Sequence, residues 1–146
     1  MKRAELIRSL KSFFQGQAEK FQIELAFLYG SWASGIPKKG SDIDVAVVFQ
    51  DQPDTEITFK RLTELTYLLT KKLGIEVSIL PISLDFKEPM LYYNTIVLGE
   101  PVYIKKFQRY VNLKNRALFE MEDFSLFGKA WQLQLARKRL KELKDA

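Results

Sequence analysis

The sequence predicts an α/β (α+β) fold that becomes purely helical in its last third. Apolar runs of strand length at 23–29, 42–49 and 75–80 alternate with segments of helical period at 3–19 and 56–73. Beyond residue 105 only the helical period remains.

Taken in order, Leu6, Ile7, Leu10, Phe13 and Phe14 recur at intervals of three and four and predict an amphipathic helix over 3–19. IELAFLY (23–29) has the length and apolar content of a buried strand. Residues 30–41 are rich in Gly, Ser, Pro and Lys and predict a loop, with room for one helical turn after Ser31. DIDVAVVF (42–49) is a β-branched strand opened by two acids, and QDQPDT (50–55) is a turn. Ile57, Leu62, Leu65, Leu69 and Leu73 share one side of a helix over 56–73, which Gly74 stops. IEVSIL (75–80) is a third strand. A helix over 89–98 follows Pro89, then a short strand at PVYI (101–104). Two more helices are expected at 105–121 and 123–143. The second carries a stripe of Leu126, Ala130, Leu133, Leu140 and Leu143. About a dozen residues join the first two strands, and the next connection, which holds helix 56–73, suits a crossover between parallel strands. The expected organisation is a core at 1–88 and a helical extension at 89–146 packed on or beside it, as one compact domain.

Composition removes several chemistries. The 146 residues include no cysteine and no histidine. Disulfides, thiolate nucleophiles, Ser-His-Asp triads and His-ligated metals are therefore excluded. Catalysis would rest on carboxylates, hydroxyls, Lys or Arg, and oxygen-bound cations. No apolar run approaches the ~18 residues of a membrane span. Glu5, Arg8 and Lys11 interrupt any signal-peptide core, so the expected location is the cytoplasm. The net charge of +5 is uneven: residues 1–103 carry 12 Lys and Arg against 13 Asp and Glu, and residues 104–146 carry 11 against 5. A basic tail of this kind suits water, an acidic partner or nucleic acid.

The stretch with most chemical content is GSWASGIPKKGSDIDVA (30–46). On a strand, residues i and i+2 face the same way, so Asp42 and Asp44 share one space. Two carboxylates that close repel, and a hard cation such as Mg²⁺, which takes carboxylate oxygens together with substrate phosphates, relieves them. Upstream, Gly30 lets backbone approach a ligand, and the Ser31 hydroxyl and nearby amides can donate to a phosphate. Each part has a plainer reading when taken alone. A D-x-D also fits a loop cap at a strand mouth, Gly-Ser an ordinary capped turn, and Lys38 and Lys39 solvated loop lysines.

Together, Gly30-Ser31, ten residues, then Asp42-x-Asp44 resembles the GSx10DxD signature of the polymerase-β-type nucleotidyltransferase superfamily. The apolar strand before Gly30, the SxAxG run through Ala33 and Gly35, and Ser41 ahead of the acids agree with it. Within that superfamily the chain is similar to the minimal nucleotidyltransferases (MNT type), many of which are antitoxins paired with HEPN-family toxins. The GEPVY run at 99–103 and the basic helices after it fit the same group.

The resemblance implies a small mixed sheet flanked by helices, with a C-terminal helical extension. It implies ATP or another NTP as substrate, held at Gly30 and Ser31, and Mg²⁺ held by Asp42 and Asp44. The implied reaction is transfer of AMP or another nucleotidyl group to a protein hydroxyl, such as a tyrosine of a HEPN-type toxin. Members that perform transfer use a third carboxylate on the following strand, and here alignment puts Ser78 in that place. Glu76 shares its face and is the candidate substitute acid, with Asp85 a remoter one. The rival expectation is an antitoxin with an impaired site that acts by protein–protein binding. A nucleic-acid binder acting through the basic tail ranks behind both, because Tyr92, Tyr93, Tyr103 and Tyr110 are not set in a basic sheet motif. The stripe at 126–143 is open to two outcomes: packing on this chain's own core, or exposure for homo-oligomer contact.

Overall fold

The computed structural model describes residues 1–35, 40, 42–85 and 87–145, with the backbone alone at 127–129 and 132. Its elements run α1 (Arg3–Gln17), β1 (Ile23–Tyr29), β2 (Ile43–Phe49), α2 (Thr55–Leu73), β3 (Val77–Pro81), α3 (Pro89–Tyr92), β4 (Glu100–Ile104) and α4 (Phe107–Asp145). The chain continues from α3 through a π-helical segment, Tyr93–Val97. The strands form one mixed sheet in the order β3-β2-β1-β4. β1 pairs antiparallel with both β2 and β4, and β2 pairs parallel with β3. The short link between β1 and β2 and the helical crossover through α2 are therefore as expected. β4 comes from the C-terminal segment and sits at the edge of the same sheet.

Each sheet face buries its own apolar layer, which is why the strands read as continuous hydrophobic runs. Leu6, Leu10 and Phe14 of α1, with Leu65 and Leu69 of α2, pack on Ile43, Val45 and Val47. On the opposite face, Tyr92, Ile96, Leu113 and Ala117 pack on Phe27, Ala46 and Val48. Local signals fix α2 at both ends. The Asp54 carboxylate accepts from the Ile57 amide at 2.9 Å, and Gly74 closes the helix at φ 70°, its N–H donating to the Thr70 carbonyl.

One sequence expectation changes, and one left open is resolved. The helices expected at 105–121 and 123–143 are one continuous 39-residue helix, α4. Met121, Glu122 and Asp123 contain neither proline nor glycine, so nothing at the expected joint interrupts the backbone hydrogen bonds. The apolar stripe at 126–143 also stays off the core. Leu113 and Ala117 are buried, whereas Leu126, Leu133, Leu140 and Leu143 are exposed.

Candidate functional site

The candidate site lies where the C-terminal end of β1 meets the N-terminal ends of β2 and β3. Antiparallel pairing sets Tyr29 opposite Asp44, and parallel pairing sets Ser78 beside Asp44 on the other side. Tyr29, Asp44 and Ser78 thus form a row across three strands. Asp44 points to the face that holds Ala46 and Val48, because strand residues alternate. Asp42 lies one residue before β2 and is exposed, and Asp44 is half-buried.

Gly30 joins the two halves of the motif. It has φ +76°, a left-handed conformation, and a Cβ at this position would sit 2.6 Å from Asp44 Oδ2. The Asp44 carboxylate therefore rests against the Gly30 backbone, in space that any side chain would occupy. The chain then folds back over Ser31–Gly35. The Ser34 amide donates to the Gly30 carbonyl at 3.2 Å, and the Ser34 hydroxyl donates to the Ser31 carbonyl at 2.8 Å. Arg3 ties this turn to the start of α1, its Nε donating to the Ala33 carbonyl at 3.1 Å and its guanidinium lying 3.7 Å from Glu100.

Electrostatics at the site favour a cation. Burial, then repulsion from Asp42, pushes the Asp44 carboxyl above the usual carboxylate range. Burial, then the Asp44 charge, pushes the Tyr29 phenol up as well, which keeps it neutral and able to donate a hydrogen bond. Among the described residues, no ion pair engages Asp42 or Asp44. Two neighbouring carboxylates at a strand mouth, Asp44 lying against the Gly30 turn, fit an oxygen-bound Mg²⁺ that shares its shell with phosphate. The described residues hold no cluster of three His, Cys, Asp or Glu that could complete a metal site from protein alone.

Glu76 stands just before β3, exposed, with its carbonyl accepting from the Ile43 amide at 3.0 Å. It lines the shallow groove between α2 and β3 together with Thr66, Tyr67, Thr70 and Lys71. Asp85 holds its own loop: its carboxylate accepts from the Lys87 amide at 3.1 Å and from the Tyr92 hydroxyl at 2.9 Å. Those bonds, the Lys87 amide first, hold its carboxyl below the usual range. Lys38, Lys39 and Ser41 lie outside the described residues. Tyr29 and Arg3 are the site-shaping residues that sequence reasoning passed over. The last residue of β1 could have been placed opposite Asp44 by assuming an antiparallel β1–β2 pair, but no local signal brings Arg3 to a turn thirty residues away.

Residues 9–108 match the family model described as Polymerase beta, Nucleotidyltransferase. The chain belongs to this family. Among solved structures it is similar to a chain of a toxin–antitoxin structure with AMP-PNP, at TM-score 0.65 and 18% identity over 86% of this chain and 98% of that one. It is also similar to a chain from a tri-AMPylated Shewanella oneidensis HEPN toxin in complex with MNT antitoxin, at TM-score 0.62 and 16% identity over 89% and 98%. A chain of the MntA–HepT toxin–antitoxin structure aligns at TM-score 0.61 and 16% identity over 87% and 97%. At these identities the likeness is one of fold. No curated protein matches by sequence.

Proposed function

We propose that this chain is a Mg²⁺-dependent nucleotidyltransferase of the MNT antitoxin type, which moves AMP or another nucleotidyl group from ATP or another NTP to a protein hydroxyl. The acceptor we assign is a tyrosine of a HEPN-type toxin, encountered in the cytoplasm. The observation that carries the reading is the contact between Gly30 and Asp44, which sets the Gly30-Ser31 turn against the acid pair. Gly30 and Ser31 hold the triphosphate through backbone amides and the Ser31 hydroxyl. Asp42 and Asp44 hold Mg²⁺, which when bound neutralises phosphate charge and lowers the pKa of a coordinated hydroxyl. The acceptor hydroxyl gives its proton to water, its oxygen bonds to the α-phosphorus, the bond from that phosphorus to the bridging oxygen breaks, and pyrophosphate leaves. Tyr29, neutral and paired with Asp44, offers a donor at the edge of the same row. The partly exposed to exposed apolar residues Phe124, Trp131 and Leu135 of α4 supply surface of the kind a protein partner covers.

One observation favours a second reading, an antitoxin that neutralises by contact alone. Ser78 stands beside Asp44 at the place where transferring relatives carry a third carboxylate, and serine can neither act as a base at neutral pH nor bridge two cations well. Incubation of the chain and a cognate HEPN-type protein with α-labelled ATP and Mg²⁺ separates the two. Label on the toxin, lost with EDTA and in Asp42→Asn/Asp44→Asn, supports transfer. Toxin inhibition that persists unlabelled in the double variant supports contact alone.

A further inference from the structure

The distal two-thirds of α4, from Phe119 on, holds an apolar seam that its own core does not cover. Phe119, Leu126, Leu133 and Leu140 are 59% to 67% exposed, on the side of the helix away from the buried Leu113 and Ala117. Glu122 and Arg137 lie on the same seam. The order Phe119, Glu122, Leu126, Leu133, Arg137, Leu140 has intervals of three, four, seven, four and three. These intervals are identical when read from either end, and they keep to the three-and-four rhythm of a helix–helix seam. On reversal the polar positions change sign, acid at the first and base at the second, and the terminal apolar positions exchange Phe119 for Leu140.

A second copy of the same helix, running antiparallel about a two-fold axis between residues 129 and 130, matches every one of these positions. Phe119 meets the partner's Leu140, Leu126 meets the partner's Leu133, and Glu122 meets the partner's Arg137, each contact occurring twice. A parallel pair would set Glu122 against Glu122 and Arg137 against Arg137. Among the described residues, neither Glu122 nor Arg137 has an ion-pair partner within the chain. The seam runs from Phe119 to Leu140, 22 residues whose 21 steps cover about 32 Å at ~1.5 Å per residue. We propose that two copies of this chain associate through antiparallel α4 helices, with the Glu122–Arg137 pairs setting direction and register. The apolar side chains Phe124, Trp131 and Leu135 lie on the other side of α4 and stay available to a different protein.

Charge reversal tests this on the full chain by sedimentation equilibrium, independently of any nucleotide chemistry. The wild type is expected at twice the 17.0 kDa chain mass. Glu122→Arg alone sets two arginines against each other at each of the two contacts, and Arg137→Glu alone sets two glutamates against each other at each. Each variant is expected to weaken association at least tenfold while keeping its helical circular dichroism. Mixing the two restores opposite charges at both contacts and should restore the dimer, now as a heterodimer. A monomeric wild type throughout the micromolar range would overturn the proposal. So would variants that dimerise as the wild type does, or a mixture that gains nothing over either variant alone.

Discussion

Gly30→Ala separates the left-handed turn from what the glycine does for Asp44. An alanine at φ +76° costs about 1–2 kcal/mol for its left-handed backbone. Gly74 supplies the control, since it has nearly the same φ, +70°, with nothing within 4 Å of a new Cβ. Both substitutions should therefore lower Tm by a similar amount, about 2–8 °C for a chain of this size. The new Cβ at position 30 has a second effect. At 2.6 Å it drives Asp44 Oδ2 back by about 0.8 Å to reach ordinary contact near 3.4 Å. The carboxylate end turns aside at little cost in stability, but the acid pair loses its place against the turn. Misplacement of a reacting group by ~1 Å costs on the order of 10²-fold. Magnesium-dependent ATP binding, followed by calorimetry, and label transfer should fall by about that factor in Gly30→Ala and stay within about twofold of wild type in Gly74→Ala. Equal losses in both variants, or full activity in Gly30→Ala, would refute the reasoning.

Asp44→Asn should raise stability in EDTA at pH 7, by less than about 1 kcal/mol because the carboxylate is only half-buried and solvent screens it, and Tm should rise with it. The folded-state pKa of Asp44 is raised, so the protonated form is the one that favours folding. The gain from Asp44→Asn should vanish below about pH 4 and open as pH rises through the raised pKa, which a Tm series across pH checks. Ser78→Asp places a third acid beside Asp44. It should lower Tm in EDTA and raise Mg²⁺-dependent transfer ~10-fold or more, as measured by label incorporation. Asp54→Ala removes the cap of α2 and should cost ~1 kcal/mol in urea melts, with ATP binding unchanged. Arg3→Ala frees the Ser31–Gly35 turn and should weaken ATP binding about threefold to tenfold, for the loss of ~1 kcal/mol of hydrogen bonding that holds the turn.

The parts of the site that could be read from sequence are those set by local rules. Alternation along β2 puts Asp42 and Asp44 on one side, and a glycine at the exit of β1 announces a turn, so the motif needs only its spacing to be seen. The Ser78 position follows once β3 is recognised as the strand after a crossover. Non-local contacts were out of reach. Tyr29 faces Asp44 through strand pairing, and Arg3 reaches Ala33 because α1 packs on one face of the sheet, alongside β4. The long α4 shows the same limit from the other side. A heptad-like stripe announces a helix with an apolar face, but whether that face finds its own core depends on where the sheet ends. The core takes Leu113 and Ala117, while Leu126, Leu133 and Leu140 run past it.

The most direct test of the site is titration of ATP into the purified chain with Mg²⁺, then with EDTA, and again into Asp42→Asn/Asp44→Asn. Saturable binding with Mg²⁺ that is lost with EDTA and in the double variant is the predicted result, because the acid pair and the Gly30-Ser31 turn act as one device. Absence of binding with Mg²⁺, or equal binding by the wild type and the double variant, would contradict a nucleotide site at that contact.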